Sequence, residues 1–231
     1  MTTETRRPTL TRDRVLTGAI ELVDEIGIEA FTIRRLAAAL DSKPMTIYHY
    51  VESKDEIIDG MVDVVFAEIE LPATDIDWRE AMRRRCRSAR EVLVRHPWAP
   101  PLMESRQDPG PATLRHHDAV LGCLRRAGLS LALTAHAYAI VDSYVYGFAL
   151  EEANLPGAGG AEMVEMAATM FDERSADYPH LAEFTTEHVL QPDYRFADSF
   201  DFGLDLILDG LARAASSDER ARATPSVEPK T

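Results

Sequence analysis

Apolar side chains in this chain recur every three or four residues, and no stretch sustains the alternation of a half-buried strand. The pattern opens with Val15, Leu16, Ala19, Ile20, Val23 and Ile26, which share one face of an amphipathic helix. Thr11 stands where an N-cap is needed, Asp13 falls in the first turn, and Gly27 suits the left-handed position that ends the helix. A short second helix carries Ile33, Leu36, Ala37 and Leu40 behind a Thr32 cap, and Asp41-Ser42 breaks it. A third runs from Lys43 to Tyr48, with Pro44 in the first turn where a missing N–H is harmless. The fourth starts at a capping box, Ser53 to Glu56, and turns Ile57, Ile58, Met61, Val62, Val65, Phe66 and Ile69 inward.

Further helical stretches are expected near residues 78–95, 99–106, 112–127, 130–153, 161–175 and 197–214. Breaks at His96-Pro97, at the two prolines Pro109 and Pro111, and at Pro156-Gly157 separate several of them. The fold class is therefore all-α, with an N-terminal three-helix part and a larger C-terminal helical bundle. The expected organisation is a flexible arm over 1–10 and a head with its linking helix over 11–70. A body over 71–215 follows, joined near Pro72, and a polar, disordered tail over 216–231 holds Pro225 and Pro229. No apolar run is long enough to span a bilayer and the first residues lack a signal peptide, so a cytoplasmic protein with no membrane partner is expected. Cys86 and Cys123 lie far apart with no zinc spacing and read as free thiols packed on helices.

Net charge argues at first against a nucleic-acid partner, since phosphate binding calls for lysine and arginine and the chain carries −14. The distribution weakens that objection. Basic and acidic side chains balance over residues 1–54, so the whole excess lies beyond them. A neutral head on an acidic body permits DNA binding without demanding it.

Residues 32–50 read TIRRLAAALDSKPMTIYHY. Two short helices joined by a tight turn form the helix-turn-helix plan, whose second helix must offer hydrogen-bonding side chains to base edges in the major groove. Lys43, Thr46, Tyr48, His49 and Tyr50 suit that task, while Ile47 faces the core. Arg34, Arg35 and Lys54 add charge for phosphates. On spacing alone, a small helical subdomain with merely solvated polar residues explains the segment equally well.

Residues 10–66 resemble the TetR family of transcriptional repressors. The most specific pieces are GIEAFTIRRLA at 27–37 and TIYHYVESKDEI at 46–57. The resemblance implies a three-helix DNA-binding head, a fourth helix leading to a ligand-binding body, and a homodimer on double-stranded, palindromic operator DNA. It implies a repressor released by a small-molecule effector. By position, Arg34 corresponds to a base or phosphate contact. Lys43, Pro44, Met45, Thr46, Tyr48, His49 and Tyr50 fall on the recognition helix, and Lys54 on a phosphate contact at the start of the fourth helix. Asp41 departs from the glycine common at that turn, though aspartate tolerates a left-handed backbone. The body is similar to that of the tetracycline repressor type in YAIVDSYVYGFAL at 138–150 and FDFGLDLILDGL at 200–211. In the family such helices pair across a twofold axis.

For an effector site, Tyr138, Asp142 and Tyr146 form a polar-tipped stripe at i, i+4 and i+8, read either as a pocket wall or as a satisfied core or dimer network. Trp98, Met103 and His117 are further candidates, from the aromatic and apolar lining that pockets favour. His116-His117 is not a metal pair, since neighbours on a helix diverge. No metal and no cofactor is expected. A helical enzyme is the alternative class, but no nucleophile elbow, phosphate loop or HExxH motif is present.

Overall fold

The computed structural model describes residues 10–103, 105, 106, 108–155, 165, 169 and 177–223. All regular structure among them is helical. In chain order the helices are α1 (Arg12–Ile26), α2 (Ile33–Ala39), α3 (Pro44–Ile47), α4 (Lys54–Glu68), α5 (Trp78–Arg95), α6 (Ala99–Met103), α7 (Pro111–Arg126), α8 (Leu131–Asn154), α9 (Pro179–Phe184) and α10 (Ser199–Ala223). A π-helical turn, Thr185–Val189, follows α9, and a 3-10 turn, Phe196–Asp198, precedes α10. The arm expected over 1–10 and the helix expected over 161–175 lie almost wholly outside the described residues.

The caps act as the sequence predicts. Thr11, Thr32 and Ser53 each accept the amide hydrogen three residues on, at 3.2, 3.2 and 3.0 Å. Gly27 takes φ 79° and ψ 158°, a region essentially reserved for glycine, and stops α1. Two boundaries differ from expectation. Residues 216–223 continue α10 instead of opening a disordered tail, since serines and charged residues there meet no proline before Pro225. The short α9 and its π turn occupy a stretch where the sequence pattern predicts no element.

The described chain groups into two compact units. The first holds the residues up to Glu70 together with Arg95–Asp118; the second holds Leu71–Val94 and the residues from Ala119 onward. In the first, Val15, Leu16, Ala19 and Val23 of α1 share a core with Phe31, Leu36, Ile47, Val51, Ile57, Met61 and Phe66. Gly60 lets α1 and α4 approach closely, because a Cβ there would stand 2.7 Å from Leu16 Cδ2.

Residues 95–118, part of the stretch expected as the body, pack within the first unit through polar ties. Asp24 accepts from Trp98 Nε1 at 2.6 Å and lies 2.9 Å from His96 Nδ1. Glu68 pairs with Arg95 at 2.6 Å, and Arg106 grips Asp59. Asp63 accepts both the amide and the hydroxyl of Thr113, at 2.8 and 2.9 Å, and so caps the start of α7.

In the second unit, α5 carries Arg79, Arg83 and Arg87 against Asp209, Asp205 and Asp201 of α10, at 3.5, 2.7 and 2.7 Å. The four-residue spacing on both helices makes an antiparallel charge zipper, though each exposed pair contributes at most about 1 kcal/mol. Arg90 binds Glu152 through two nitrogens at 2.8 and 2.6 Å and covers the rings of Phe148 and Phe200. Tyr144 donates to the Phe200 carbonyl at 2.8 Å, which seats the first turn of α10.

One cation goes deeper. Arg85 is 0% exposed, and its Nη1 lies 2.8 Å from Asp142 Oδ1. Burial works most strongly against its charge, but the Asp142 carboxylate, together with Cys86 and Tyr146, offsets that cost and holds the guanidinium protonated. Removing one partner of such a pair strands the other in the core. Asp142→Ala is expected to cost about 3–5 kcal/mol in urea unfolding, and Arg85→Met with Asp142→Leu to recover most of that loss. An Asp142→Ala protein within about 1 kcal/mol of wild type would contradict a structural pair.

Candidate nucleic-acid interface and effector site

The helix-turn-helix rests on local chain chemistry. The turn after α2 closes with Leu40 N–H to Leu36 O at 3.0 Å and Ser42 N–H to Ala37 O at 2.8 Å. Asp41 between them takes φ 46°, the left-handed region expected for it, and is the one non-glycine with positive φ among the described residues. Pro44 then starts α3 with φ preset for a helix. This single turn buries Ile47 completely, which fixes which side chains face outward.

Lys43, Pro44, Met45, Tyr48 and His49 are exposed, and Thr46 and Tyr50 are partly so. Met45 is 72% exposed and Tyr48 44%, so two large side chains present much of their surface to water. Arg34, on the outer face of α2, and Lys43 are exposed cations with no ion pair among the described residues. Three other basic residues of the head are engaged. Arg12 pairs with Glu56 at 3.3 Å and Arg35 donates to the Ala30 carbonyl at 3.1 Å. Lys54, expected at a phosphate, donates from Nζ to the Phe31 carbonyl at 2.9 Å and lies 5.4 Å from the Phe31 ring centroid.

The six effector-site candidates divide between the two units. Trp98, Met103 and His117 belong to the first, where Trp98 is buried on Asp24 and His117 stands edge-on to Phe66 at 5.3 Å. Tyr138, Asp142 and Tyr146 belong to the second and share one stripe of α8, with Asp142 and Tyr146 buried. The charged partner of the Asp142 carboxylate is the guanidinium of Arg85. Arg85 escaped the sequence reading because it sits in a run of arginines. The signal was its phase, four residues from both Ala81 and Ala89 on the buried face of α5.

The grooves bounded by described residues include three that none of the six candidates lines. One of about 760 Å³ in the first unit is rimmed by carboxylates including Asp13, Asp59 and Asp63. In the second unit, one of about 430 Å³ lies among His188, Tyr194, Arg195 and Phe202, and one of about 230 Å³ beside Trp78 and Cys123. Burial pushes the thiols of Cys86 and Cys123 up, as expected of packed cysteines. Among the described residues no group of His, Cys, Asp and Glu is arranged to hold a metal ion, and no helix is long and apolar enough to cross a membrane.

Comparison with known proteins bears on both units. Residues 15–61 match the family described as bacterial regulatory proteins, tetR family, and residues 71–215 match the tetracyclin repressor-like C-terminal domain. The HTH-type transcriptional repressor DrrR1 of Streptomyces coeruleorubidus is 35% identical over 215 residues, covering 89% of this chain and 78% of that protein. The crystal structure of a possible TetR family transcriptional regulator from Streptomyces coelicolor A3(2) superposes with a TM-score of 0.73 at 32% identity, covering 88% of this chain and 99% of the other. The Streptomyces coelicolor TetR family protein ActR, in complex with actinorhodin, gives 0.72 at 26% identity, over 90% and 99% of the two chains. A helix-turn-helix with an outward-facing second helix, followed by a helical body of this type, has one family reading: the chain belongs to the TetR family and is a ligand-responsive, DNA-binding transcriptional regulator rather than an enzyme.

Proposed function

We propose that the protein is a cytoplasmic repressor that binds a palindromic operator as a homodimer and is released by a small-molecule effector. The observation that carries this reading is the orientation of α3. Ile47 is buried while Lys43, Pro44, Met45, Thr46, Tyr48, His49 and Tyr50 lie on the open side, as a major-groove reader requires. Arg34 and Lys43, exposed and without an ion pair among the described residues, supply the phosphate charge. Similarity to the transcriptional repressor DrrR1 and to ActR, which binds actinorhodin in its complex, supports repression and small-molecule control. The effector itself is unassigned. Tyr138, Asp142 and Tyr146 of the second unit are the residues we propose for its recognition; Trp98, Met103 and His117, in the first unit, are a separate set of candidates.

The dimer reading rests on two uncovered faces of the second unit. The outer side of α8 presents Ala135, Ala139, Ser143 and Gly147 at four-residue spacing, flanked by exposed Ile140 and Leu150. On α10, Phe202 and Leu206 stand 70% and 57% exposed. Small residues on one helix and large ones on another suit helices that interlock closely across a twofold axis.

Two outcomes are expected. In fluorescence anisotropy on a duplex from the region upstream of its own gene, Tyr48→Ala should weaken binding by tenfold or more with thermal unfolding unchanged. Lys43→Ala should weaken binding to all sequences alike and reduce the log–log salt slope by about 1. Undiminished binding by Tyr48→Ala would overturn the assignment of the head. In sedimentation at micromolar concentration, the wild type should run at twice 25.7 kDa, and Phe202→Glu with Leu206→Glu should run as the single chain. A wild-type protein sedimenting as one chain would overturn the dimer.

A further inference from the structure

A recognition helix reaches base edges with its N-terminal end, so the side chains there set which bases it can tell apart. In α3 that end is Pro44-Met45. Pro44 has no backbone N–H, and neither side chain carries a hydrogen-bond donor. Met45 is 72% exposed, more than any other large apolar side chain among the described residues of the first unit. The leading tip of α3 is therefore apolar. It stands on a head whose exposed cations, Arg34 and Lys43, have no ion pair among the described residues.

The rest of the outward set leaves that tip an unusually large share of the reading. Bidentate readout falls to arginine or lysine on guanine and to asparagine or glutamine on adenine. Residues 43–50, KPMTIYHY, hold one side chain of those four types, Lys43, which caps α3 and precedes its first turn. Thr46, Tyr48, His49 and Tyr50 offer single hydrogen bonds, which more than one base edge satisfies. The apolar group that the major groove presents is the C5-methyl of thymine. A thioether side chain, unbranched and polarizable, packs on a methyl without demanding one fixed geometry.

We propose that Met45, with Pro44 beside it, is a specificity-determining residue of α3 and reads the C5-methyl of a thymine in each operator half-site. The proposal deepens, and rests on, the reading of residues 32–50 as the DNA-binding element. Covering one methyl with apolar surface is worth roughly fourfold in affinity. Cytosine, adenine and guanine present polar groups in the major groove, which the thioether would cover without pairing. Discrimination at this base pair thus comes from burial and not from a hydrogen bond.

The test uses the full chain and a duplex that the wild type enriches from a random-sequence pool. Uracil, which keeps the hydrogen-bonding groups of thymine and lacks only its methyl, replaces each thymine in turn. Wild-type binding should fall roughly fourfold at one thymine of each half-site. Met45→Ala should bind the thymine duplex roughly fourfold more weakly than wild type and respond less than twofold to uracil at that position. Met45→Leu, which keeps the apolar surface, should retain the uracil effect. Lys43→Ala should weaken binding to the thymine and uracil duplexes alike and also retain it. Thermal unfolding of Met45→Ala should match wild type, because the side chain it removes is exposed. Equal wild-type binding to the thymine and uracil duplexes, or a uracil effect that survives in Met45→Ala, would overturn the methyl contact and leave the DNA-binding reading standing. If the wild type enriches no duplex, the DNA-binding reading fails and the methyl contact fails with it.

Discussion

A helix of four residues cannot hold its shape in water, because nucleating one turn fixes several backbone angles for a single hydrogen bond. The element that would read DNA, α3, is such a helix. Its geometry is borrowed from the burial of Ile47, from the left-handed Asp41 that turns the chain into it, and from Val51, buried just beyond it. Burying an isoleucine side chain stabilises by about 1.5–3 kcal/mol, far more than the turn contributes by itself. The exposed set from Lys43 to His49 follows from that one anchored side chain. With Ile47 inside, the helical period leaves Met45 and Tyr48 in solvent.

The same logic governs the surroundings of the element. Carboxylates at Asp24, Asp59, Asp63 and Glu68 bind residues 95–113 to α1 and α4 through His96, Trp98, Thr113 and two arginines. These four carboxylates are thereby committed to internal ties, while pairing a carboxylate with an arginine leaves the net charge of −14 unchanged. In the second unit the zipper between α5 and α10 absorbs three more aspartates. Its exposed pairs set register rather than contribute much stability. The buried pair of Arg85 and Asp142 differs in kind, because the desolvated charge of each is tolerable only while the other is present.

What could be read from the sequence was what depends on neighbours along the chain. Thr11, Thr32 and Ser53 are caps by virtue of local chemistry, Gly27 and Asp41 accept the backbone angles of their turns, and the apolar period marks Ile47 as inward. The candidate DNA-facing residues were legible for the same reason. Features set by distant partners were not. Nothing near Asp142 in sequence announces Arg85, and nothing near Asp63 announces Thr113. The grouping of residues 95–118 with the head likewise depends on contacts across long separations, which neither composition nor period encodes. The engagement of Lys54 with a backbone carbonyl was invisible because any residue at position 31 would offer one.

The account stands or falls on two copies of α3 entering the major groove of one duplex. Methylation of guanine N7, which lies on the major-groove edge, reports this directly in a dimethyl sulfate protection experiment with the full chain on its upstream DNA. The expected result is protection in two patches about one helical turn apart, 10–10.5 base pairs centre to centre or a multiple of it, related by a pseudo-palindrome. Unchanged methylation across a duplex that the protein demonstrably binds, or protection confined to a single patch, would contradict it.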